Sequence, residues 1–301
     1  MKIFKRIRLL AIILFSTSVQ SQEAVRTYLT DEGLVPRERQ VDYQNLVLNI
    51  DFDAEKGKVN GKVTHSFIVL RRDLDSIRLD GIKMTFRKVN LDGKDVNYKS
   101  DGKGITIYPE DLEWDTKHNL EIEYEAYPKR GIYFIGWNDT TGRSRKHIWT
   151  QGQAIANRHW IPVYDEKNDK VISEMIVAFD NKYKVLSNGE LLKSKDIGQN
   201  KKEWHYKISH PHAPYLIMLG IGEYEIAHSK SKSGVPLNFY YYPDQPKQLK
   251  PTYKFSEEMF NFFENEIGVK YPWKTYSQIP VQDFMYGAME NTTATIFGDF
   301  Y

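Results

Sequence analysis

Residues 283–292 combine two adjacent small residues with two acidic side chains, Asp283 and Glu290. In this stretch Glu290 follows closely after Gly287 and Ala288. Small residues let another chain approach the backbone, and a carboxylate beside such a ridge can bind a cation. Composition alone predicts a turn with polar residues between apolar ones.

A second polar stretch lies well upstream, at Thr150-Gln151-Gly152-Gln153. It follows Trp149 and precedes Arg158-His159-Trp160-Ile161-Pro162, with Asp165 and Lys170 shortly after. Glutamine side chains can accept and donate hydrogen bonds but carry no charge. By composition this stretch also predicts a turn.

The eight histidines do not form an H-E-x-x-H motif. His210 and His212 could face the same way like a metal pair, but Pro211 interrupts the strand and no third ligand is obvious nearby. This favours a structural role. Ser187 lacks a G-x-S-x-G context, and residues 220–222 lack the third glycine of a phosphate-binding loop.

Composition excludes several classes of protein. The 301 residues are 41% hydrophobic and 14% aromatic, enough for a sizeable core and compatible with two domains. Forty-two basic and 40 acidic residues leave a net charge of +2, which makes nucleic acid an improbable partner. Cysteine is absent, so disulfide scaffolds, thiol nucleophiles and iron–sulfur ligation are excluded.

The first 21 residues predict a secretory signal peptide. A basic head, Lys2 to Arg8, precedes an apolar run from Leu9 to Phe15, and Ser21 offers a small residue for cleavage. That run is far shorter than the roughly 20 residues that span a bilayer, although an uncleaved anchor is the alternative. We expect an exported, periplasmic or secreted protein with no membrane span after cleavage and a net charge of −2.

Residues from about Asp42 to Ala227 predict short strands joined by turns. Hydrophobic and polar residues alternate in five segments, as in half-buried strands. Pairs such as Asn60-Gly61 and Asn188-Gly189 are typical of turns. With no convincing helix, we expect a mainly β fold, a β-sandwich or a curved, saddle-like sheet. The five segments are residues 46–52, 63–69, 105–108, 120–124 and 204–208.

The pattern changes after His228. Polar residues 229–234 mark either a domain boundary or a hairpin loop. Apolar residues then recur every three or four positions from Leu249 to Ile267, which predicts one helix with an apolar face and a C-cap at Gly268. We expect that aromatic face to belong to a core whose partner layer these residues do not supply. Strands are predicted at 236–242 and 277–281, so this part begins a mixed α/β domain.

These motifs carry a family resemblance. The chain resembles the N-terminal part of the aminopeptidase N family of zinc metallopeptidases, gluzincins similar to membrane alanyl aminopeptidase. Gly287-Ala288-Met289-Glu290-Asn291 matches the exopeptidase motif of that family at every position. Thr150-Gln151-Gly152-Gln153 resembles its upstream substrate-binding motif, and residues 158–162, 215–222 and 271–273 follow in the expected order. The resemblance extends from about Asp42 to Tyr301.

The resemblance implies a domain division and a function. Residues 22–233 would form the saddle-shaped N-terminal β domain, and residues 234–301 would begin a thermolysin-like α/β catalytic domain, incomplete here. The parent protein would be a zinc-dependent aminopeptidase that releases N-terminal residues from peptides. Its partners would be peptides with a free N-terminus.

The resemblance also implies roles for site residues. In the family the motif glutamate, here Glu290, binds the α-ammonium group of the substrate. The backbone of Gly287, Ala288 and Met289 would lie along the peptide. Gln153 falls where many members have a second amine-binding glutamate, with Gln151 beside it. Gln153 departs from the commonest pattern, because its carbonyl oxygen accepts a hydrogen bond without adding charge.

The residues of the family that bind zinc lie beyond the five-residue motif. A peptidase zinc site needs three protein ligands and a water position. We therefore expect zinc as the cofactor of the complete protein, its ligands beyond Tyr301, no catalytic residue within the chain and no activity of these 301 residues alone. The alternative is a non-catalytic β-rich peptide-binding module or an inactive peptidase relative.

Overall fold

The computed structural model describes residues 37–110 and 112–300. All of them belong to one compact unit. The signal peptide predicted at residues 1–21 lies outside the described residues, as do residues 22–36 of the predicted N-terminal domain.

The described residues form twenty strands and two α-helices, so the predicted mainly β class is confirmed. The helices are α1 (Pro246–Tyr253) and α2 (Ser256–Ile267). The strands are β1 (Val41–Asp53), β2 (Lys58–Val69), β3 (Ile77–Asp80), β4 (Thr85–Leu91), β5 (Lys94–Asp95), β6 (Asn97–Ser100), β7 (Gly104–Tyr108), β8 (Lys117–Ala126), β9 (Ile132–Ile135), β10 (His147–Thr150), β11 (Ile172–Asp180), β12 (Lys184–Ser187), β13 (Glu190–Gly198), β14 (Lys201–Lys207), β15 (Leu219–Gly222), β16 (Glu225–Lys230), β17 (Pro236–Tyr241), β18 (Tyr276–Val281), β19 (Ala288–Met289) and β20 (Ala294–Gly298).

An eight-stranded sheet forms the larger part of the fold. Its order is β13-β14-β11-β1-β2-β8-β4-β5. Strand β1 pairs antiparallel with β2, Leu48 opposite Val63, and parallel with β11, Leu48 opposite Met175. Alternate side chains of these central strands are buried, as the sequence alternation predicts, because one face of the sheet covers the core.

Two smaller sheets complete the N-terminal part. A three-stranded sheet has the order β3-β7-β6, and a four-stranded sheet has the order β12-β15-β10-β9. All four residues of β10 are buried, as are all four of β15. The four-stranded sheet matters for function because β10 ends at Thr150, directly before the two glutamines.

The C-terminal part is a five-stranded sheet with two helices. The order is β16-β17-β18-β20-β19, with β17, β18 and β20 parallel to one another. The polar stretch 229–234 ends β16 and enters the loop of the β16–β17 hairpin, residues 231–235, so the hairpin alternative that the sequence left open is the observed one. The domain boundary at 233/234 falls within this hairpin and stays a prediction.

The predicted single helix is two helices. Pro251 lies inside α1, and the chain breaks at Lys254 and Phe255 before α2 begins. Gly268 caps α2 in the left-handed conformation, as predicted. Phe263 is 57% and Ile267 67% exposed, because no described element packs on that side of α2. This agrees with the expectation that these residues do not supply the partner layer of the aromatic face.

No helix of the described residues has both the length and the apolar character needed to span a bilayer.

Candidate functional site

The upstream glutamine segment begins at the buried end of β10. The hydroxyl Oγ1 of Thr150 accepts a hydrogen bond from the backbone N–H of Leu219 at 2.9 Å. The next residue, Gln151, donates its backbone N–H to the carbonyl of Gly131 at 2.9 Å. Thr150 is fully buried. The segment is therefore tied to two neighbouring strands before it reaches Gln153.

Gly152 is the one residue of this segment that cannot carry a side chain without rearrangement. A Cβ atom there would lie 2.3 Å from the carbonyl oxygen of Tyr215 and 2.6 Å from Nδ2 of Asn157. The absence of a side chain lets the turn pack directly onto Tyr215. The two flanking glutamines therefore lie on a turn whose position is fixed by its contacts with Tyr215 and Asn157.

The two glutamines differ in exposure. Gln151 is 7% exposed, whereas Gln153 is exposed. Nε2 of Gln151 donates to Oε1 of Gln153 over a long 3.4 Å. Oε1 of Gln151 is buried and has no hydrogen-bond partner among residues 37–110 and 112–300. A buried acceptor without a partner is costly, so this oxygen fits a ligand that brings a donor.

Glu290 projects from a segment whose neighbours are buried. Met289 is 1% and Asn291 2% exposed, while Glu290 itself is exposed. Within the described chain, Glu290 forms no ion pair closer than 4 Å. Both amide atoms of Asn291 are buried and likewise lack a partner there. A firmly anchored carboxylate thus remains free to bind an external cation.

The backbone ridge before Glu290 is an edge strand. Ala288 pairs with Phe297 and Met289 with Ile296 in antiparallel register, and Gly298 donates its N–H to the carbonyl of Gly287 at 3.1 Å. Strand β19 is the last strand of its sheet. Its outer backbone edge can therefore receive an extended peptide.

The turn before the ridge is held by the strand that carries the glutamine segment. Nε1 of Trp149 donates to the carbonyl of Gln282 at 3.0 Å, and the Trp149 ring packs edge-on against Phe284 at 5.3 Å. Oε1 of Gln282 accepts the backbone N–H of Arg145 at 2.6 Å. Strand β10 therefore supports both motif segments. It leads directly into the glutamine segment, and its Trp149 contacts the turn before the ridge.

The segment after Glu290 is held by residues whose roles the sequence did not reveal. Nδ1 of His212 lies 3.1 Å from Oγ1 of Thr292, and its Nε2 lies 2.8 Å from Oγ of Ser173. Nδ2 of Asn188 donates to the carbonyl of Thr292 at 2.7 Å. Asn188 was noticed only as half of an Asn-Gly turn, since no local pattern signals a partner 104 positions away.

The histidines do not fit a zinc site. In the part of the chain that the structure describes, no three His, Asp or Glu side chains come together to hold a metal ion. His212 is buried among hydroxyls, while His210 is exposed and bonds Oγ of Ser209. Burial lowers the pKa of His65 to about 4 and that of His212 to about 3, so both stay neutral and structural.

The residues after the glutamine segment form a buried ionic cluster. The Arg158 guanidinium lies 3.3 Å from Asp80 and 3.5 Å from Asp165, and Asp165 accepts the backbone N–H of Arg158 at 3.0 Å. Burial raises the pKa of Asp165 to about 7. Lys170 is exposed. The cluster pins the turn from Arg158 to Asp165 and belongs to the support of the site.

Comparison with known families identifies the class of the chain. The Peptidase M1 N-terminal domain matches residues 40–216, and the Peptidase family M1 domain matches residues 252–300. The chain belongs to the M1 peptidase family. The resemblance to aminopeptidase N is thereby confirmed at the level of the family.

Individual relatives are named aminopeptidases. The chain is 26% identical to mouse glutamyl aminopeptidase over 59% of its own length and 19% of that protein. It is 25% identical to probable aminopeptidase 1 of Saccharolobus solfataricus over 76% of the chain and 28% of the relative. Leucyl aminopeptidase of the same organism is 24% identical over 82% of the chain and 30% of the relative. The chain thus spans less than a third of each of these relatives.

Replacing His212 by glutamine is expected to flatten the pH dependence of stability. Burial holds the pKa of His212 near 3, below the 6.5 of an unfolded chain. The unfolded state therefore takes up a proton first, and this histidine destabilises the fold as pH falls from 6.5 towards 3, by up to about 1.4 kcal/mol per unit. Urea unfolding of parent and His212→Gln at pH 7, 6, 5 and 4 measures the effect. Parallel curves for the two proteins would contradict it.

Proposed function

We propose that this chain forms the amine-binding part of an exported zinc-dependent aminopeptidase, in which Glu290 binds the α-ammonium group of a peptide substrate. The observation that carries the proposal is an exposed carboxylate without an ion pair in the described chain, placed directly after the edge strand β19. Family membership and the names of the relatives support the same reading.

The geometry favours binding of a chain end. A peptide added along β19 would use the backbone of Gly287, Ala288 and Met289 and would run towards Glu290. A carboxylate at the end of that path attracts a terminal ammonium, whereas an internal peptide segment offers it no charge. A hydrogen bond to a charged group contributes about 1.5–3 kcal/mol, which corresponds to roughly 10- to 150-fold discrimination.

The two glutamines extend the amine site. Gln153 is exposed and can offer its carbonyl oxygen to the same ammonium group. The partnerless Oε1 of Gln151 supplies a buried acceptor beside it. The described residues hold no zinc ligands as a group, so the hydrolytic chemistry is assigned to zinc bound by other residues of the complete protein.

Replacing Glu290 is expected to remove most aminopeptidase activity. In the product of the complete reading frame, Glu290→Gln and Glu290→Ala should lower kcat/KM for an aminoacyl anilide by roughly 10- to 150-fold, because the ammonium loses its charged acceptor. Glu258→Gln, an exposed glutamate on α2, is the matched control and should keep parental activity.

A binding measurement separates the peptidase from the alternative of a non-catalytic peptide-binding module. Calorimetry compares tri-alanine with N-acetyl-tri-alanine, which lacks the charged amine. Binding of the free amine with no cleavage in the zinc-loaded protein would favour the binding module. Equal affinity for both peptides, or near-parental cleavage by Glu290→Ala, would refute the role of Glu290.

Restoring a charge at position 153 is expected to tighten amine binding. In Gln153→Glu a second carboxylate faces the ammonium, and an exposed pair is worth up to about 1 kcal/mol, a gain of up to about fivefold. Calorimetry with tri-alanine measures the gain, with N-acetyl-tri-alanine and the exposed Gln248→Glu as controls. An unchanged or weaker affinity for tri-alanine would place Gln153 outside the amine site.

Export is expected to remove residues 1–21. The basic head and short apolar run have the form of a cleavable signal peptide. Mass spectrometry of the protein purified from fractionated cells should find an N-terminus at Gln22 in the periplasmic or secreted fraction. A protein that retains Met1 and stays in the cytosol would refute export.

A further inference from the structure

We propose that Asn188 is a positioning residue that holds the Glu290 carboxylate in register with the glutamine segment. This inference rests on the proposed function, because it concerns the same amine site. The two motif segments are far apart in sequence, and Asn188 belongs to neither of them. Its side-chain amide joins the backbone of one segment to the backbone that supports the other.

The side chain of Asn188 uses both sides of its amide. Nδ2 donates to the carbonyl of Leu216 at 2.9 Å and to that of Thr292 at 2.7 Å. Oδ1 accepts the backbone N–H of Met218 at 2.7 Å. Asn188 is 2% exposed, so water does not compete for these bonds. One buried amide therefore fixes the distance between residue 292 and the 216–218 backbone.

The neighbouring residue adds a second tie to the same segment. The backbone N–H of Gly189 donates to Oγ1 of Thr293 at 2.6 Å. Thr293 has a φ of +67°, a conformation that a β-branched residue adopts only when its surroundings impose it. Gly189 has a φ of +82° and packs against the carbonyl of Lys207, so its own position is fixed. Residues 188 and 189 thus clamp the backbone just after Glu290.

The backbone that Asn188 binds at residues 216–218 is in turn connected to the glutamine segment. Leu219, next to Met218, donates its N–H to Oγ1 of Thr150, the residue before Gln151. Nδ2 of Asn157 bonds the carbonyls of Pro214 and Ile217 from the far side of the same turn. Hydrogen bonds therefore run from Thr292 through Asn188 and residues 216–219 to Thr150. Loss of Asn188 would free Glu290 to shift relative to Gln153.

A shift of this kind should weaken amine recognition specifically. A displacement of about 1 Å in a positioned group can lower activity by as much as 100-fold. Asn188→Asp keeps the acceptor for Met218 but removes both donated bonds and sets a carboxylate against two carbonyl oxygens. Thr293→Val breaks only the tie to Gly189 with nearly the same side-chain shape, and serves if the aspartate variant does not fold.

The test measures discrimination between tri-alanine and N-acetyl-tri-alanine by calorimetry in the product of the complete reading frame, from which the metal has been removed with a chelator so that neither peptide is cleaved. We expect Asn188→Asp to lower the ratio of the two affinities tenfold or more and Thr293→Val to lower it less. The control is Tyr206→Phe, which removes a buried bond to the carbonyl of Val185, a residue of neither motif, leaves the Asn188 bonds in place and should keep the ratio. A double-mutant cycle adds each change to Glu290→Gln, where it should have little further effect.

The outcomes separate the two claims. If Glu290→Gln lowers the ratio but folded Asn188→Asp and Thr293→Val keep it, the positioning role is overturned and the proposed function stands. If the Asn188 and Glu290 effects simply add, Asn188 acts on stability and the inference is again overturned. If the parent protein does not prefer the free amine, or Glu290→Gln keeps its preference, the proposed function fails and the inference with it.

Discussion

The backbone from Leu216 to Leu219 depends on side chains from elsewhere for most of its hydrogen bonds. Residues 217–219 are fully buried, and a buried peptide group left unpaired costs as much as a lost hydrogen bond. Asn188 and Asn157 pair with the carbonyls of residues 216 and 217, and Asn188 also accepts the N–H of Met218. Ser187 and Thr150 complete the set at Met218 and Leu219. Satisfying this backbone is what brings the glutamine segment and the Glu290 segment together.

The polar groups around this backbone are largely neutral, which leaves the charge of Glu290 without an internal partner in the described chain. His147 and His212 are buried, and burial lowers the pKa of each to about 3. Arg158 pairs with Asp80 and Asp165 in a separate ionic cluster that follows the glutamine turn in the chain. A neutral, rigid support lets one exposed carboxylate dominate the recognition of a cation.

Local patterns were enough to predict some of the strands and the motif positions. They did not predict β10 or the central strand β11, and Asn60-Gly61, predicted as a turn, lies inside β2. The alternation in β1, β2 and β8 is a direct result of a sheet with one buried face, and Gly268 caps α2 as expected. The break between the two helices was not predicted, because the three- and four-residue spacing of apolar residues from Leu249 to Ile267 continues across Lys254 and Phe255. Periodicity indicates an apolar face but not what packs against it, and the exposed Phe263 and Ile267 agree with the expectation that these residues do not supply its partner layer.

The residues that hold the site in place could not be predicted from the spacing of residues in the sequence. Asn188 and Thr292 are 104 positions apart, and His212 and Thr292 are 80 apart. An Asn-Gly pair predicts a turn whether or not its side chain reaches another segment. The exopeptidase motif could be recognised in the sequence because its backbone ridge and its carboxylate, Glu290, are adjacent in the chain. Sequence therefore located the binding groups and left their anchors to the tertiary structure.

The proposed function would also explain why β19 is a two-residue strand at the edge of its sheet. A long exposed edge would invite pairing with other chains, and short edge strands limit that risk. Two residues suffice to align a peptide backbone when the next residue, Glu290, binds the chain end by charge. The exposed Met285 and Tyr286 before the ridge leave the approach open, whereas the buried Asn291 to Ala294 behind it hold the carboxylate still. In the proposed function, selectivity for a peptide terminus would follow from a short edge strand that ends at the fixed negative charge of Glu290.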